Sequence, residues 1–133
     1  DGSDARERLR HGLRLAEVTG AKRHVIELFA FLHDSRRRHD GADPHHGQRA
    51  AAFAKTLAGT AFQLEPDGLE LLTTACSKHS DGLIDGDITV LTCWDADRLD
   101  LGRVGNRPRP DLLCTAAARD PVVLDWAYKR SIR

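Results

Sequence analysis

The sequence has no methionine, one tyrosine and two tryptophans, and aromatic residues make up only 5% of it. So few aromatics, with no basic residues interleaved among them, argue against a stacking platform for single-stranded nucleic acid. Cysteine is also scarce. Cys76, Cys93 and Cys114 are odd in number and form no CxxC pair, which argues against a disulfide framework or a zinc knuckle and for a reducing, cytoplasmic setting. No apolar run approaches the ~20 residues that a membrane span requires. The 20 basic and 20 acidic residues cancel, so the overall attraction expected of a nucleic-acid coat or a polybasic membrane binder is missing. No basic-then-apolar leader opens the chain, and the lack of methionine leads us to expect that its native start lies upstream of Asp1.

What remains is an ordinary globular composition, with 41% apolar residues in a chain of 133. That length suits a single domain burying roughly two thirds of its unfolded surface. The charge balance hides a segregation: residues 1–49 carry +2, residues 50–102 carry −6 and residues 103–133 carry +4. The acidic middle is where a cation is expected.

Apolar spacing together with Gly and Pro punctuation predicts an all-α fold, a compact bundle of about six to seven helices. The first is expected from about Asp4 to Thr19, with Leu9, Leu13 and Ala16 inward and Gly20 as its stop. The second spans about Lys22 to Ser35, where Val25, Leu28, Phe29 and Leu32 form a core stripe. Asp43-Pro44 opens a third reaching about Leu57, the Asp capping free N–H groups and the Pro fitting the first turn. Two more are expected over about Pro66 to Ser80 and Asp87 to Leu101. A short helix near Asp111 to Ala118 and a last one near Val122 to Ser131 complete the chain.

The chemistry lies in where histidine and aspartate fall on these helices. His33 and Asp34 end the core stripe of the second helix, His33 standing four residues after Phe29. Buried imidazole and carboxylate are costly unless paired or bound to a cation. An isolated His-Asp dipeptide is ordinarily a hydrogen-bonded core histidine beside a solvated aspartate, but three further placements shift the balance. His46 is in line with Ala50, Phe53 and Leu57, His79 is in line with Leu72 and Cys76, and Asp97 follows Cys93 by one turn. Three inward histidines and two aspartates from different helices form a set able to converge on a metal, and the lack of a thiolate argues against structural zinc. His24, His39 and His45 are expected at the surface, the cysteines in the core, and Trp94 and Trp126 in the core or lining a groove.

The runs FAFLHDSRRRHDGADPHHGQRAA, ACSKHSDG and CWDADRLDLGRVG, in this order, resemble the HD-domain superfamily of metal-dependent phosphohydrolases, in its histidine-rich binuclear subset. The resemblance covers about residues 4–105. It implies that His33 and Asp34 are the HD pair, His46 and His79 the intervening histidines, and Asp97, in Ala96-Asp97-Arg98-Leu99, the closing aspartate. One departure stands out: the family's first histidine would fall near Asp4 or Ala5, and neither is histidine, while His11 sits about two turns later. Either Asp4 substitutes as a ligand, or the site is incomplete, or the opening segment follows a different register.

The resemblance further implies one or two divalent ions, with Mn, Fe, Mg, Ni and Zn not distinguished. Metal-activated water would attack a small phosphorylated metabolite or nucleotide. Asp34 would be the central bridging and catalytic ligand, and Arg49, Lys78 and Arg98 the cations nearest the substrate phosphate. Each of those three is otherwise a solvated surface charge. Two other readings remain open: an HD-type di-iron oxygenase, and a degenerate HD domain that binds a ligand or partner without turnover.

Overall fold

A computed structural model describes residues 2–33, 45–100 and 108–131, with side chains from Arg6 to Leu32 and His33, His45 to Asp100, and Pro108 to Arg130. Seven α-helices run through these residues: α1 (Gly2–Thr19), α2 (Arg23–Leu32), α3 (His46–Leu57), α4 (Pro66–Lys78), α5 (Ile88–Arg98), α6 (Ala116–Arg119) and α7 (Pro121–Ser131). Among the described residues the only β pairing is an isolated bridge between Ala58 and Phe62. The all-α bundle expected from the sequence is what forms. Among the described residues no helix is long and apolar enough to cross a membrane.

Two cores hold the helices together. The larger gathers Val25, Ile26 and Phe29 of α2, Ala50 and Ala54 of α3, Leu72, Ala75 and Cys76 of α4, and Val90, Cys93 and Trp94 of α5. The indole N–H of Trp94 donates to the Ala75 carbonyl, which ties α5 to α4. Small residues on α3 let it lie close against α4: a Cβ on Gly47 would stand 2.4 Å from the Cys76 carbonyl oxygen. The smaller core joins Leu15 of α1, Leu99, Leu113, Ala118 of α6 and Ala127 of α7.

Local signals account for most helix boundaries. Gly20, at φ +77°, ends α1 in the left-handed conformation that glycine adopts without strain. Pro66 opens α4, and the Asp87 carboxylate caps α5 by accepting from the Thr89 N–H. The expected Asp43-Pro44 start of the third helix lies outside the described residues, where α3 is described from His46 onward.

Two expectations are corrected. The helix expected over Asp111 to Ala118 is a 3-10 turn, Pro110–Leu112, followed by extended backbone and then the short α6. The cause is Asp95 on α5, whose buried carboxylate accepts from the Cys114 N–H, the Thr115 N–H and the Thr115 hydroxyl, holding that backbone away from a helix. The inward face of α1 is also rotated. Arg8, His11, Leu15 and Ala16 are buried with Gly12, while Leu9 and Leu13 are half-buried. Gly12 sets this rotation, since a Cβ there would stand 2.5 Å from Ile26 Cγ2.

Candidate metal centre

Two of the histidines singled out from the sequence are built alike. His33 is the C-cap of α2 and His79 the C-cap of α4, both with right-handed helical backbone. The last carbonyls of a helix lack intrahelical partners. His33 Nδ1 lies 2.9 Å from the Phe29 carbonyl oxygen, and His79 Nδ1 lies 2.8 Å from that of Cys76. A carbonyl can only accept, so each Nδ1 carries the proton and donates, and in the neutral ring each Nε2 is left with its lone pair.

The two rings meet at one place. One ligand atom each from His33, His79 and Asp97 lie within 4.8 Å of one another, a group able to hold a metal ion. His33 Nε2 is 3.2 Å from Asp97 Oδ1. His79 meets His33 edge-on at 4.9 Å between ring centroids, and Phe29 stacks on His33 at 4.5 Å. His46 lies outside the triad but touches it, its Nε2 2.9 Å from His79 Nε2. Two nitrogens each about 2.0–2.1 Å from one ion, at right angles, would stand about 2.9 Å apart.

A lone pair facing a carboxylate oxygen, with a second imidazole edge-on beside it, is unfavourable unless a proton or a metal ion comes between. The donors therefore fit a divalent cation. Metal-bound histidines characteristically donate their other ring N–H to a carbonyl or carboxylate, as His33 and His79 do here. The helix ends act in the same direction. His33 and His79 cap α2 and α4, and Asp97 lies in the last turn of α5, so three helix C-termini, each carrying partial negative charge, meet at the site. Burial alone would raise the Asp97 carboxyl. Positive charge on His33 with its contact, then on His79 and Arg8, outweighs burial and holds the group at about 2, below its ordinary 3.8, a role that an ion between neutral imidazoles would take over. The side chain keeps 24% of its surface open, leaving a route for solvent or ligand.

The other expected residues are dispersed. Asp34 lies outside the described residues, and so does the side chain of Asp4. Arg49 is half-buried on α3, one turn after His46. Lys78 is exposed and lines a different cavity, of about 550 Å³, whose walls include Asp67, Glu70 and Trp94. Arg98 lies beside the centre, on a cavity of about 200 Å³ shared with His79, Ser80 and Arg109. Its Nη1 donates to the Leu112 carbonyl at 2.8 Å, and its guanidinium lies over the Trp94 ring. Its Nη2 is buried with no hydrogen bond among the described residues. Arg109 is paired with Asp111. His11 is far from the triad in character: fully buried, its ring edge-on to Trp126 at 5.3 Å.

One residue at this centre was not foreseen. Arg8 of α1, only 6% exposed, brings Nε to 3.2 Å from Asp97 Oδ1 and 3.9 Å from Asp100 Oδ2. Its signal was its place on one helical face with His11, Gly12 and Leu15. No protein-family model matches this sequence, and neither a curated protein nor a solved structure matches it.

Proposed function

We propose that this chain is an HD-type metal-dependent phosphohydrolase acting on a small phosphorylated metabolite or nucleotide. The observation that carries the proposal is the gathering of one ligand atom each from His33, His79 and Asp97 within 4.8 Å of one another, with His33 Nε2 3.2 Å from Asp97 Oδ1. His33, His79 and Asp97 would hold the ion, with His46 joining through the side it turns to His79. Asp34, next to His33 in sequence, is the expected further ligand. A divalent ion held there supplies Lewis acidity toward a phosphoryl oxygen and makes water a usable nucleophile at neutral pH.

The chain supplies the rest. Phe29 backs His33 and closes that side to water. Arg98, which lines the cavity beside His79, would offer its guanidinium to an equatorial phosphoryl oxygen, where charge builds during transfer. That cavity, of about 200 Å³, suits a phosphate group with a small substituent better than a polymer.

The test begins with protein purified without added metal. Its metal content is measured by elemental analysis, and phosphate release is followed on p-nitrophenyl phosphate and a panel of nucleotides and sugar phosphates with Mn, Mg, Ni, Zn and Fe. Turnover that depends on metal, stops with a chelator and is lost in Asp97→Ala and His79→Ala is the expected result. Stable iron with dioxygen uptake and no phosphate release would replace it with the oxygenase reading. Absence of bound metal with every ion offered would leave a binding domain without turnover.

A further inference from the structure

We infer that the cavity of about 550 Å³ between α4 and α5 is a second binding site, for an aliphatic amine that carries two or three ammonium groups on a hydrocarbon chain. The inference does not rest on the metal reading above.

One face of α4 forms one wall. Asp67, Glu70, Leu71, Thr74 and Lys78 follow one another at helical spacing, and all of them line the cavity. The opposite wall is made by Val90 and Trp94, one turn apart on α5, and by Leu83, Asp85 and Asp87 of the segment that leads into it. The charged residues are exposed and form the rim, whereas Val90 and Trp94 are buried and Leu71 is half-buried. An apolar floor with a few charged groups above it is the ordinary form of a small-molecule site, whose volumes run from roughly 300 to 1,000 Å³.

Negative charge prevails at the rim. Four carboxylates and two ammonium groups line the cavity, a surplus of two negative charges. The surplus becomes three when Glu65 is counted, which pairs with Lys22 at 3.4 Å. Lys78 does not cancel the carboxylates of its own helix, because the rise of 1.5 Å per residue sets it about 12 Å along α4 from Glu70. Asp87 accepts from the Thr89 N–H, but the carboxylates of Asp67, Glu70 and Asp85 make no hydrogen bond or ion pair among the described residues.

These carboxylates do not gather on a metal ion. The described residues offer one group of three side chains close enough to share an ion, and it is His33, His79 and Asp97. Negative charge spread over an apolar floor is matched by positive charge spread along an apolar chain. Ammonium groups then reach separate carboxylates, while the methylenes between them cover Leu71, Val90 and Trp94.

The test titrates the full chain with 1,6-diaminohexane by calorimetry at pH 7, with a chelator present so that the metal centre has no part in the outcome. Trp126→Phe leaves Trp94 as the remaining tryptophan, and its emission should change with the same saturation. The diamine is expected to bind at one site, and hexanoate is expected not to bind. 1,3-Diaminopropane, with the same charge and three fewer methylenes to bury, should bind about tenfold more weakly or worse. Glu70→Gln combined with Asp85→Asn should weaken 1,6-diaminohexane about 5–10-fold. Both residues are exposed, and circular dichroism checks that the variant is folded. Equal affinity for the two diamines would mean attraction to surface charge alone and would overturn the inference. Unchanged affinity in the double variant, or no change in Trp94 emission at saturation, would place the amine elsewhere and overturn it too. So would no binding of 1,6-diaminohexane to the unmodified chain, or hexanoate binding as well as the diamine.

Discussion

His11 offers a sharp test of the packing between α1 and α7. Its ring is fully buried and edge-on to Trp126, and neither ring nitrogen makes a hydrogen bond among the described residues. Burial, partly opposed by the Ala96 backbone, pushes its pKa down from 6.5 to about 4. The unfolded chain therefore takes up a proton as pH falls below 6.5, while the folded chain resists until about 4. The stability contribution of a neutral His11 is full above pH 6.5 and is lost progressively as pH falls toward 4. Two and a half pH units at 1.36 kcal/mol each give a total of about 3 kcal/mol, of which about 2.5 kcal/mol is gone by pH 4.5. His11→Phe keeps a ring against Trp126 and removes the titration. Urea unfolding followed by circular dichroism at pH 7 and pH 4.5, with a chelator present, measures the difference. The variant should lose about 2.5 kcal/mol less than the unmodified chain between those pH values, the other titrating groups cancelling in the comparison. Equal losses in the two proteins would show that His11 is not held neutral by its burial.

Other perturbations read different parts of the fold. Asp95→Ala removes the acceptor of three hydrogen bonds from Cys114 and Thr115 and should cost about 3 kcal/mol or more in urea unfolding; a loss under about 1 kcal/mol would contradict its role in the chain before α6. Gly47→Ala places a Cβ 2.4 Å from the Cys76 carbonyl oxygen and 3.3 Å from His79 Nδ1. It should cost about 1–3 kcal/mol and weaken metal binding in the same variant, both measurable by melting with and without Mn²⁺. His79→Ala should abolish metal binding in a calorimetric titration, whereas His46→Ala, which touches the triad through His79, should weaken it about 10–100-fold. A reversed order would place the ion nearer His46.

The fold was legible where helical periodicity and punctuation agree. The stripe of Val25, Phe29 and Leu32 is buried as the spacing predicts, and Gly20 and Pro66 mark helix boundaries. The face of α1 was not, because its inward side is occupied by Arg8, His11 and Gly12, none of which reads as a core residue. Periodicity assigns the apolar residues inward, and here close packing at Gly12 and the carboxylates of α5 prevailed. The interruption of the helix expected over Asp111 to Ala118 was equally hidden, since it depends on Asp95, nineteen and twenty residues earlier. At the centre, His33, Asp34, His46, His79 and Asp97 were expected as one set; His33, His79 and Asp97 lie together with His46 against His79, and Asp34 lies outside the described residues. Lys78 was assigned by its neighbour in sequence, but one step along a helix turns a side chain by about 100°, here onto another cavity.

The histidine signal was readable because two physical requirements fall on the same residue. A helix that ends in the interior must satisfy its last carbonyls, and an imidazole at the C-cap does so through Nδ1–H. The same bond orients the ring and directs Nε2 onward, toward Asp97 for His33 and His46 for His79. His33 on α2 and His79 on α4 meet both requirements, so one hydrogen bond ends the helix and aims the imidazole. Because two helices end in this way at one place, their partial negative charges add to that of Asp97 and favour a cation. Arg8 answers part of that demand from a third helix, α1. A chain that kept the His-Asp order but moved either histidine into the middle of its helix would lose the carbonyl partner for Nδ1, and with it the fixed tautomer on which ligation depends.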